Sequence, residues 1–423
     1  CFMCHYFFHV LHLYCKSISK DEINSFLSQR NYDIRLSHNA RWIDQKCTPD
    51  VISIIADCIV NYVLEKGNAF FTSMDIWHND YTVNYVESIF KKPNPDETKA
   101  RNEYDKFFQQ PMELMAYSGV LEKKKIKTRN FYRIANEDIM EYLSLRDRNA
   151  LTFLQCYITK VLTDSGIIRM FNNFFSNTSK ENFDNLKEYY EDFIIAHTPI
   201  NGRTECRRIF TKVINPLAFL HGTGGTEKGR LSKHKITYDM LMYNRDNFRD
   251  IYSDKPKDMT RSEYEKAAKI SINKDLTKYM SAKAKKIVRI YNDQFRDGIT
   301  EVTYDKQHIG DMATHIHHIF PEADYPTICH FIENLIALTP TQHLNYAHPN
   351  GNTQKINREY QHICLLAKVD TIRDDIEHHY EPIYSFEKFL YVLLIGLERD
   401  SFSQIEDGDY DGLVAAINLA YSA

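Results

Sequence analysis

The chain has 423 residues, of which 43% are hydrophobic and 26% are charged, and its formal net charge is −4. This length allows two or three domains with large cores. No apolar run reaches the roughly eighteen residues of a membrane span, so we expect no membrane partner. The nine cysteines are odd in number and scattered, which favours reduced thiols in a cytoplasm over a disulfide framework.

The charge is unevenly distributed along the chain. Residues 201–290 contain 21 Lys and Arg against 10 Asp and Glu, whereas residues 367–423 contain 4 against 12. A basic stretch inside a weakly acidic chain is typical of a protein that faces nucleic acid with one part and solvent with another. A solvated basic surface without such a partner is the alternative.

The N-terminal part is predicted to begin with helices. Thr48-Pro49-Asp50 is a helix start, apolar residues follow at helical spacing over 51–63, and Gly67 can end the helix. Residues 111–118 predict a further helix, which Gly119 stops. These helices precede the most basic short segment of this part of the chain.

That segment predicts a hairpin. Residues 120–127 (VLEKKKIK) form one strand, Thr128–Asn130 the turn and residues 131–134 the second strand. Helices followed by a basic hairpin indicate a winged helix, whose wing lies on DNA phosphates. Lysines on a hairpin also protect strand edges and keep proteins soluble, which is the alternative. The predicted phosphate contacts are made by Lys123, Lys124, Lys125, Lys127 and Arg129.

The middle of the chain is predicted to be helical. Residues 137–200 are rich in aromatic side chains. The sequence shows no internal repeat. Four residues at helical spacing are expected to form a buried face. They are Met170, Phe171, Phe174 and Phe175.

A basic, glycine-rich stretch follows over residues 201–235. Its Gly222–Gly225 segment is not a phosphate-binding P-loop, because Lys228 is followed by Gly229 rather than by Ser or Thr. We expect a flexible basic loop that approaches the DNA backbone, and a plain solvent loop is the alternative. The residues expected to contact phosphate are Lys228, Arg230 and Lys233.

Residues 314–349 contain the histidines that organise the chain. Three of them lie in one short extended run: His315, His317 and His318. The apolar run Leu335–Leu338 is typical of a buried strand. Thr339-Pro340-Thr341-Gln342 is a helix start, with Thr as N-cap, Pro at the first helical position and Gln three residues after the cap. The predicted order is strand, loop, strand and helix, with His343 in the first helical turn.

This order suits phosphodiester hydrolysis, which needs a general base to deprotonate water and a divalent cation to neutralise charge on phosphate. Neighbouring strand residues point to opposite faces. His317 and His318 are therefore expected to divide two roles, one binding metal and the other activating water. Asn334 can hold the base or its loop by hydrogen bonds, and His343 completes the metal site. The alternative is a histidine cluster without chemistry, and His315 is expected to be structural.

The series His317-His318, Asn334 and His343 resembles the motif of the HNH (ββα-metal) nucleases, and the Thr-Pro-x-x-His turn resembles that of colicin-type members. The resemblance covers about residues 305–370. It implies that His317 and His343 are metal ligands. It also implies that His318 is the general base and that Asn334 orients it.

The sequence departs from the family pattern in two ways. A further helix ligand is expected four residues after His343, where Ala347 stands, and His348 one position later is the candidate third ligand. Many HNH proteins hold a structural zinc with cysteine pairs, whose places Thr339 and Gln342 occupy here. No structural zinc is therefore expected.

The predicted fold class is α+β and mostly helical. Residues 20–147 are predicted to form a winged-helix-like DNA-recognition domain, and residues 148–300 a helical, basic middle region. Residues 301–423 are predicted to form a ββα-metal (HNH) nuclease core with a helical C-terminal cover. The arrangement resembles HNH-class type II restriction endonucleases, including the type IIS enzymes that separate recognition from cleavage.

This resemblance implies a sequence-specific endonuclease that hydrolyses double-stranded DNA with Mg²⁺, for which Mn²⁺, Co²⁺ or Ni²⁺ can substitute. It implies a bacterial cytoplasmic protein with a DNA methyltransferase as a genetic partner. It is also compatible with a homodimer that forms during cleavage. Two other functions also stay open. One is an HNH nuclease of the homing, phage or toxin type, and the other is a winged-helix regulator whose metal site is not catalytic.

Overall fold

A computed structural model of the protein describes residues 18–83, 86, 101–243, 274–304, 307–348, 356–379 and 382–422. Contacts divide the chain into two units, residues 1–268 and residues 269–423. Both are built mainly from helices with a few short strands, which confirms the predicted mostly helical α+β class. Within the described ranges, no helix combines the length and apolarity needed to cross a bilayer.

Helix α3 (Pro49–Lys66) lies at the centre of the first unit. All its residues from Val51 to Ile59 are buried, because three helices cover it on several sides: α5 (Arg101–Ser118), α6 (Glu137–Leu145) and α7 (Asp147–Asp164). Gly67 ends the helix at φ 80°, as predicted. Among its described residues, the α-helices of this unit are α1 (Lys20–Ser28), α2 (Ile34–Ser37), α3 (Pro49–Lys66), α4 (Ser73–Trp77), α5 (Arg101–Ser118), α6 (Glu137–Leu145), α7 (Asp147–Asp164), α8 (Ile168–Ser176), α9 (Lys180–His197) and α10 (Arg203–Leu220).

The predicted basic hairpin is present. Strands β1 (Leu121–Ile126) and β2 (Arg129–Ile134) pair antiparallel across the turn Lys127-Thr128, where Lys127 has φ 54°. The predicted turn at Thr128–Asn130 is wrong, because Arg129 and Asn130 already belong to the ladder. The turn therefore begins one residue earlier in the chain than the sequence predicted.

Glu113 of α5 ties this hairpin to the helices. Its carboxylate accepts hydrogen bonds from Tyr132 Oη at 2.6 Å, Lys123 Nζ at 2.7 Å and Asn130 Nδ2 at 3.0 Å. Tyr132 is fully buried and forms a backbone bridge with Phe71. The base of the hairpin is thus fixed, while its turn stays at the surface.

The predicted aromatic face of helix α8 is buried in large part. Phe171, Phe174 and Phe175 are buried, which confirms the prediction, whereas Met170 is only partly covered. The Phe171 ring lies 6.1 Å from that of Tyr190 in an edge-on arrangement typical of aromatic pairs in cores. This face is packing and carries no chemistry.

An ordered hairpin stands where a flexible basic loop was expected. Strands β3 (Thr226–Glu227) and β4 (Arg230–Leu231) pair across the turn Lys228-Gly229. Asn215 of α10 accepts from Thr226 N at 2.8 Å and donates to Thr226 O at 3.0 Å. A Cβ at Gly225 would lie 2.5 Å from Asn215 Oδ1, so glycine permits this close approach. The glycines here serve packing as well as turning.

The second unit is built on helix α11 (Lys274–Phe295) and on strands β5 (His315–His318) and β6 (Leu335–Leu338), which pair antiparallel. The sequence placed α11 in the middle region 148–300, but the contacts place it in the second unit. The helix contacts both strands. It therefore forms part of the layer that supports the histidines.

Apolar packing joins α11 to the sheet. Ala284 and Val288 of the helix form a buried cluster with Leu335 of β6, and Ile316 of β5 packs against it. Complete burial of a Val or Leu side chain stabilises a fold by about 1.5–3 kcal/mol. Helices α12 (Arg358–His378), α13 (Phe386–Gly396) and α14 (Tyr410–Tyr421) follow the sheet in the chain.

A buried ion pair anchors β6 to α12. Glu301 Oε2 lies 3.0 Å from Lys368 Nζ, and both side chains are almost completely inaccessible to solvent. Glu301 Oε1 accepts from Ala337 N at 2.8 Å, and Tyr384 Oη lies 2.9 Å from the ammonium. Removal of one partner of a buried pair costs about 3–5 kcal/mol, because the remaining charge is left without compensation. This pair holds the outer edge of the strand in place.

Candidate metal centre and general base

Strand β5 presents its histidines to two different neighbours. The rings of His315 and His317 face the helix that follows β6, where their centroids lie 4.9 Å and 5.1 Å from that of His343. The next residue, His318, contacts α11, with Nε2 3.1 Å from Ser281 Oγ. Adjacent strand residues point to opposite faces, and the predicted separation of the two histidines is present in the geometry.

The helix after β6 starts where the sequence predicted. Gln342 N donates to Thr339 Oγ1 at 3.1 Å, and Thr339 N donates to Gln342 Oε1 at 3.0 Å. The predicted capping box is therefore confirmed. Thr300 Oγ1 also donates to Gln342 Oε1, at 2.6 Å. The first turn, which carries His343, is therefore held by Thr339 at the start of the helix and by Thr300 from outside it.

From Gln342 to Ala347 this helix is of the π type. Residues five apart lie about 140° apart round an α-helix, which has 3.6 residues per turn. A π-helix is wider and forms i→i+5 hydrogen bonds, so residues five apart point in more similar directions than in an α-helix. His348 follows the last π-helical residue, and its ring centroid lies 4.9 Å from that of His343. The winding brings His348 to the site in place of a ligand at Ala347.

Three imidazoles meet at one point. His317, His343 and His348 each offer a nitrogen, and these nitrogens all lie within 4.8 Å of one another. His317 and His348 are 5% exposed. His343 Nδ1 is buried and has no hydrogen-bond partner. A buried nitrogen of this kind is costly unless something pairs with it, so the donor set fits a bound transition-metal or divalent ion.

The pKa shifts favour the same interpretation. Burial, followed by the neighbouring His343 and His348, lowers the pKa of His317 well below its usual value. Burial, followed by His348, His315 and Lys285, lowers the pKa of His343 to about 4. Both imidazoles are therefore neutral near pH 7, and neutral imidazole is the form that binds metal.

His318 is held in one orientation on the other face of the strand. Its Nε2 lies 3.0 Å from the carbonyl oxygen of Cys329 and 3.1 Å from Ser281 Oγ. A carbonyl only accepts, so Nε2 carries the proton and Nδ1 keeps its lone pair. Burial, then the charge of Lys285, lowers the pKa of His318 to about 4. The ring is neutral near pH 7 and can accept a proton at Nδ1.

Asn334 closes the loop between the two strands. It is completely buried; its Oδ1 accepts from Phe320 N at 2.9 Å, and its Nδ2 donates to Phe320 O at 3.0 Å and Ile328 O at 3.3 Å. Ile328 directly precedes Cys329, whose carbonyl contacts His318. Of the two roles the sequence allowed, Asn334 therefore has the geometry for holding the loop rather than for touching the imidazole.

Phe320 is fixed from its other side as well. Its ring is buried against α13, where a Cβ at Gly396 would lie 2.5 Å from ring atoms. Glycine at this helical position therefore makes room for the aromatic ring. The contact fixes the end of β5 next to His318.

Helix α11 contributes residues that sequence reasoning did not assign to the site. Ser281 contacts His318 and donates to Glu322 Oε2 at 3.0 Å. Lys285 lies one helical turn after Ser281. Its charge, second to burial, lowers the pKa of His318. No local pattern in the sequence links Lys285 to His318, because 33 residues separate them.

The predicted phosphate-binding residues lie in the first unit. Lys123 Nζ is 2.7 Å from Glu113, and Lys124 Nζ lies 6.0 Å from the centre of the Phe70 ring. The two are on opposite faces of β1, since they are neighbours in the strand. The remaining predicted residues are exposed at the two hairpin turns or beside them: Lys125, Lys127, Arg129, Lys228, Arg230 and Lys233.

A cavity of about 320 Å³ in the first unit does not belong to this chemistry. Its cations are matched by carboxylates: Arg41 pairs with Asp44 and with Glu205, and Arg208 lies 3.5 Å from Glu205. A lining of this kind is neutral overall and offers an anion no net attraction. Among the described residues, the histidines of the second unit remain the group that offers three nitrogens to one point.

Comparison with known proteins adds no assignment. No family model, no curated protein and no solved structure matches the chain. The resemblance to HNH nucleases therefore rests on the residues and on their arrangement. All six cysteines of the described segments are buried, and none of them is joined to another by a disulfide bond.

Proposed function

We propose that this chain is an HNH-class, sequence-specific type II restriction endonuclease that hydrolyses double-stranded DNA. One observation carries the proposal. Three imidazoles converge within 4.8 Å on one side of β5, and the next residue of the strand is a histidine held with a free Nδ1. Hydrolysis of a phosphodiester requires a cation site and an oriented base, and this strand carries candidates for both.

In this proposal His317, His343 and His348 hold the divalent ion. When bound, the ion supplies Lewis-acid stabilisation of charge on the scissile phosphate and the leaving oxygen. We propose Mg²⁺ as the cellular cofactor. Imidazole suits transition metals better than Mg²⁺, so Mn²⁺, Co²⁺ and Ni²⁺ are expected to bind more tightly to the free protein.

His318 acts as the general base. Its Nδ1 takes a proton from water, whose oxygen then bonds to phosphorus while the bond to the leaving oxygen breaks. Asn334 keeps the loop closed, and the Cys329 carbonyl keeps the ring in place. Lys285, whose charge reaches His318 and His343, is placed to attract a phosphate group.

We assign DNA recognition to the first unit. Its helices and the β1–β2 hairpin are proposed to form a winged-helix-like domain over residues 20–147, with Lys125, Lys127 and Arg129 on phosphates. The β3–β4 hairpin, with Lys228 and Arg230 exposed, is proposed as a second backbone contact. The protein is proposed to act in a bacterial cytoplasm beside a DNA methyltransferase that protects the host sequence.

A digest of unmethylated phage DNA tests this function. Purified full-length protein with Mg²⁺ or Mn²⁺ is expected to give discrete bands, and His318→Ala is expected to give none. A smear would indicate a non-specific nuclease of another HNH type. Retarded but uncut DNA would indicate a metal-binding regulator and would overturn the proposal.

A further inference from the structure

A buried hydroxyl of helix α11 connects two groups of the site. Ser281 is 2% exposed, and its Oγ lies 3.1 Å from His318 Nε2 and 3.0 Å from Glu322 Oε2. The Glu322 carboxylate lies 4.0 Å from the same Nε2 and has a side-chain exposure of 37%. We propose that Ser281 and Glu322 form a hydrogen-bond relay that positions His318 and fixes the tautomer with the lone pair on Nδ1.

Counting the protons of the three groups supports this relay. A serine hydroxyl has one proton to donate and lone pairs to accept, and an ionised carboxylate only accepts. Ser281 therefore donates to Glu322. Its lone pair then faces His318 Nε2, which donates both to Ser281 and to the Cys329 carbonyl at 3.0 Å. The single Nε2 proton is shared between these two acceptors, so every contact still joins a donor to an acceptor.

The opposite tautomer leaves two contacts without a proton. If Nδ1 carried the hydrogen, Nε2 would accept from Ser281, and the Cys329 carbonyl would face a lone pair at 3.0 Å. Ser281 could then no longer donate to Glu322, whose oxygen lies 3.0 Å away. Buried polar groups without partners are destabilising. The carboxylate thus adds, through the serine, to the preference for the Nε2–H tautomer that the Cys329 carbonyl also requires.

Ser281 and Glu322 are positioning residues in this proposal, since they act through His318 and are not among the candidate metal ligands. The inference rests on the proposed function, because it concerns the base of that reaction. It adds a part of the site that lies outside the strand–loop–strand–helix segment. Removal of outer partners of this kind typically costs about 10–100-fold in activity.

The test uses the full chain and a double-mutant cycle. Ser281→Ala and Glu322→Ala are each expected to lower the single-turnover cleavage rate by about 10–100-fold. The double variant is expected to be no slower than the slower single variant, because the two residues act as one relay. Glu322→Gln retains an acceptor oxygen and is expected to restore most of the rate lost in Glu322→Ala.

Two controls separate positioning from general damage. Asp324→Ala removes an exposed carboxylate two residues from Glu322 and is expected to cleave at the wild-type rate. Mn²⁺ affinity and the KM for DNA are expected to stay unchanged in both relay variants, since only the base is displaced. Rates within about twofold of wild type, losses that appear in Mn²⁺ affinity, or losses that multiply in the double variant would each overturn the relay.

A tautomer measurement distinguishes failure of the relay from failure of the proposed function. In ¹⁵N-histidine-labelled protein, the His318 signals are identified by their loss in His318→Ala and are expected to show Nε2–H. Ser281→Ala is expected to increase the Nδ1–H population. If wild type cleaves no DNA but this pattern holds, the relay stands and the nuclease function fails. An Nδ1–H tautomer in wild type overturns the relay whether or not DNA is cleaved.

Discussion

The side chains at the histidine centre of the second unit are fixed by hydrogen bonds, whereas those at the basic hairpin turns of the first unit are exposed to solvent. Around β5, His318 has two polar contacts through one nitrogen, and Asn334 makes three hydrogen bonds while completely buried. On the hairpins, Lys125, Lys127 and Arg129 project from an anchored base into solvent.

The difference follows from what each region is proposed to do. A misplacement of about 1 Å at reacting atoms can cost 10²-fold in rate, so a general base and its metal must be held from several sides. Attraction of a phosphate needs only charge within reach, and it is sequence-independent and sensitive to salt. Substitutions in the two regions should therefore fail in distinguishable ways.

The largest effect is expected from His343→Ala. The ring centroid of His343 lies 5.1 Å from that of His317 and 4.9 Å from that of His348, so its imidazole is one of three that face one another at similar distances. We expect cleavage to fall to background and Mn²⁺ binding to be lost, with DNA binding retained. His378→Ala, which removes an exposed histidine on α12, is the control. Normal cleavage by His343→Ala would show that the metal site lies elsewhere.

His318→Ala tests the base separately from the metal. We expect the cleavage rate to fall by about 10²–10⁴-fold, whereas the Mn²⁺ affinity changes little because the ring is on the other face of β5. The measurement is a single-turnover rate beside a metal titration. Equal losses of rate and metal affinity would contradict the division of roles between His317 and His318.

His348→Ala tests the π-helical winding. We expect Mn²⁺ affinity to fall less than in His343→Ala and cleavage to fall modestly, because two of the three imidazoles remain. A variant with both His348→Ala and Ala347→His moves the ligand to the position that the family pattern favours. If this variant binds Mn²⁺ as well as wild type, the π-helix is not what decides the third ligand.

The smallest effect is expected at the hairpin. Substitution of Lys125, Lys127 and Arg129 by Gln should weaken binding to all DNA sequences and reduce the slope of log affinity against log salt by about 0.9 per lost phosphate contact. Lys123→Gln is the matched control, since that lysine is paired with Glu113 at 2.7 Å. An unchanged slope in the triple variant would leave the hairpin as a solubility feature.

Local patterns were sufficient for the elements that carry the site. The apolar run Leu335–Leu338 is a strand, and the capping box of Thr339 and Gln342 starts the helix where spacing predicted. Because side chains alternate between the two faces of β5, His317 and His318 point in opposite directions. Each of these features depends on residues within a few positions of one another, so periodicity and capping chemistry reveal them. The hairpin turn was predicted at the wrong residues because Asn130, a residue type common in turns, belongs to β2.

Tertiary structure decided which side chains complete the site. The sequence placed His348 one residue from the expected ligand position, and the π-helical turn together with the extended backbone of His348 brings it beside His343. Ser281 and Lys285 reach the site because α11 packs on the strands through Ala284 and Val288. The buried pair of Glu301 and Lys368 likewise joins residues 67 positions apart. These contacts depend on how elements far apart in the chain pack together, which no local periodicity records.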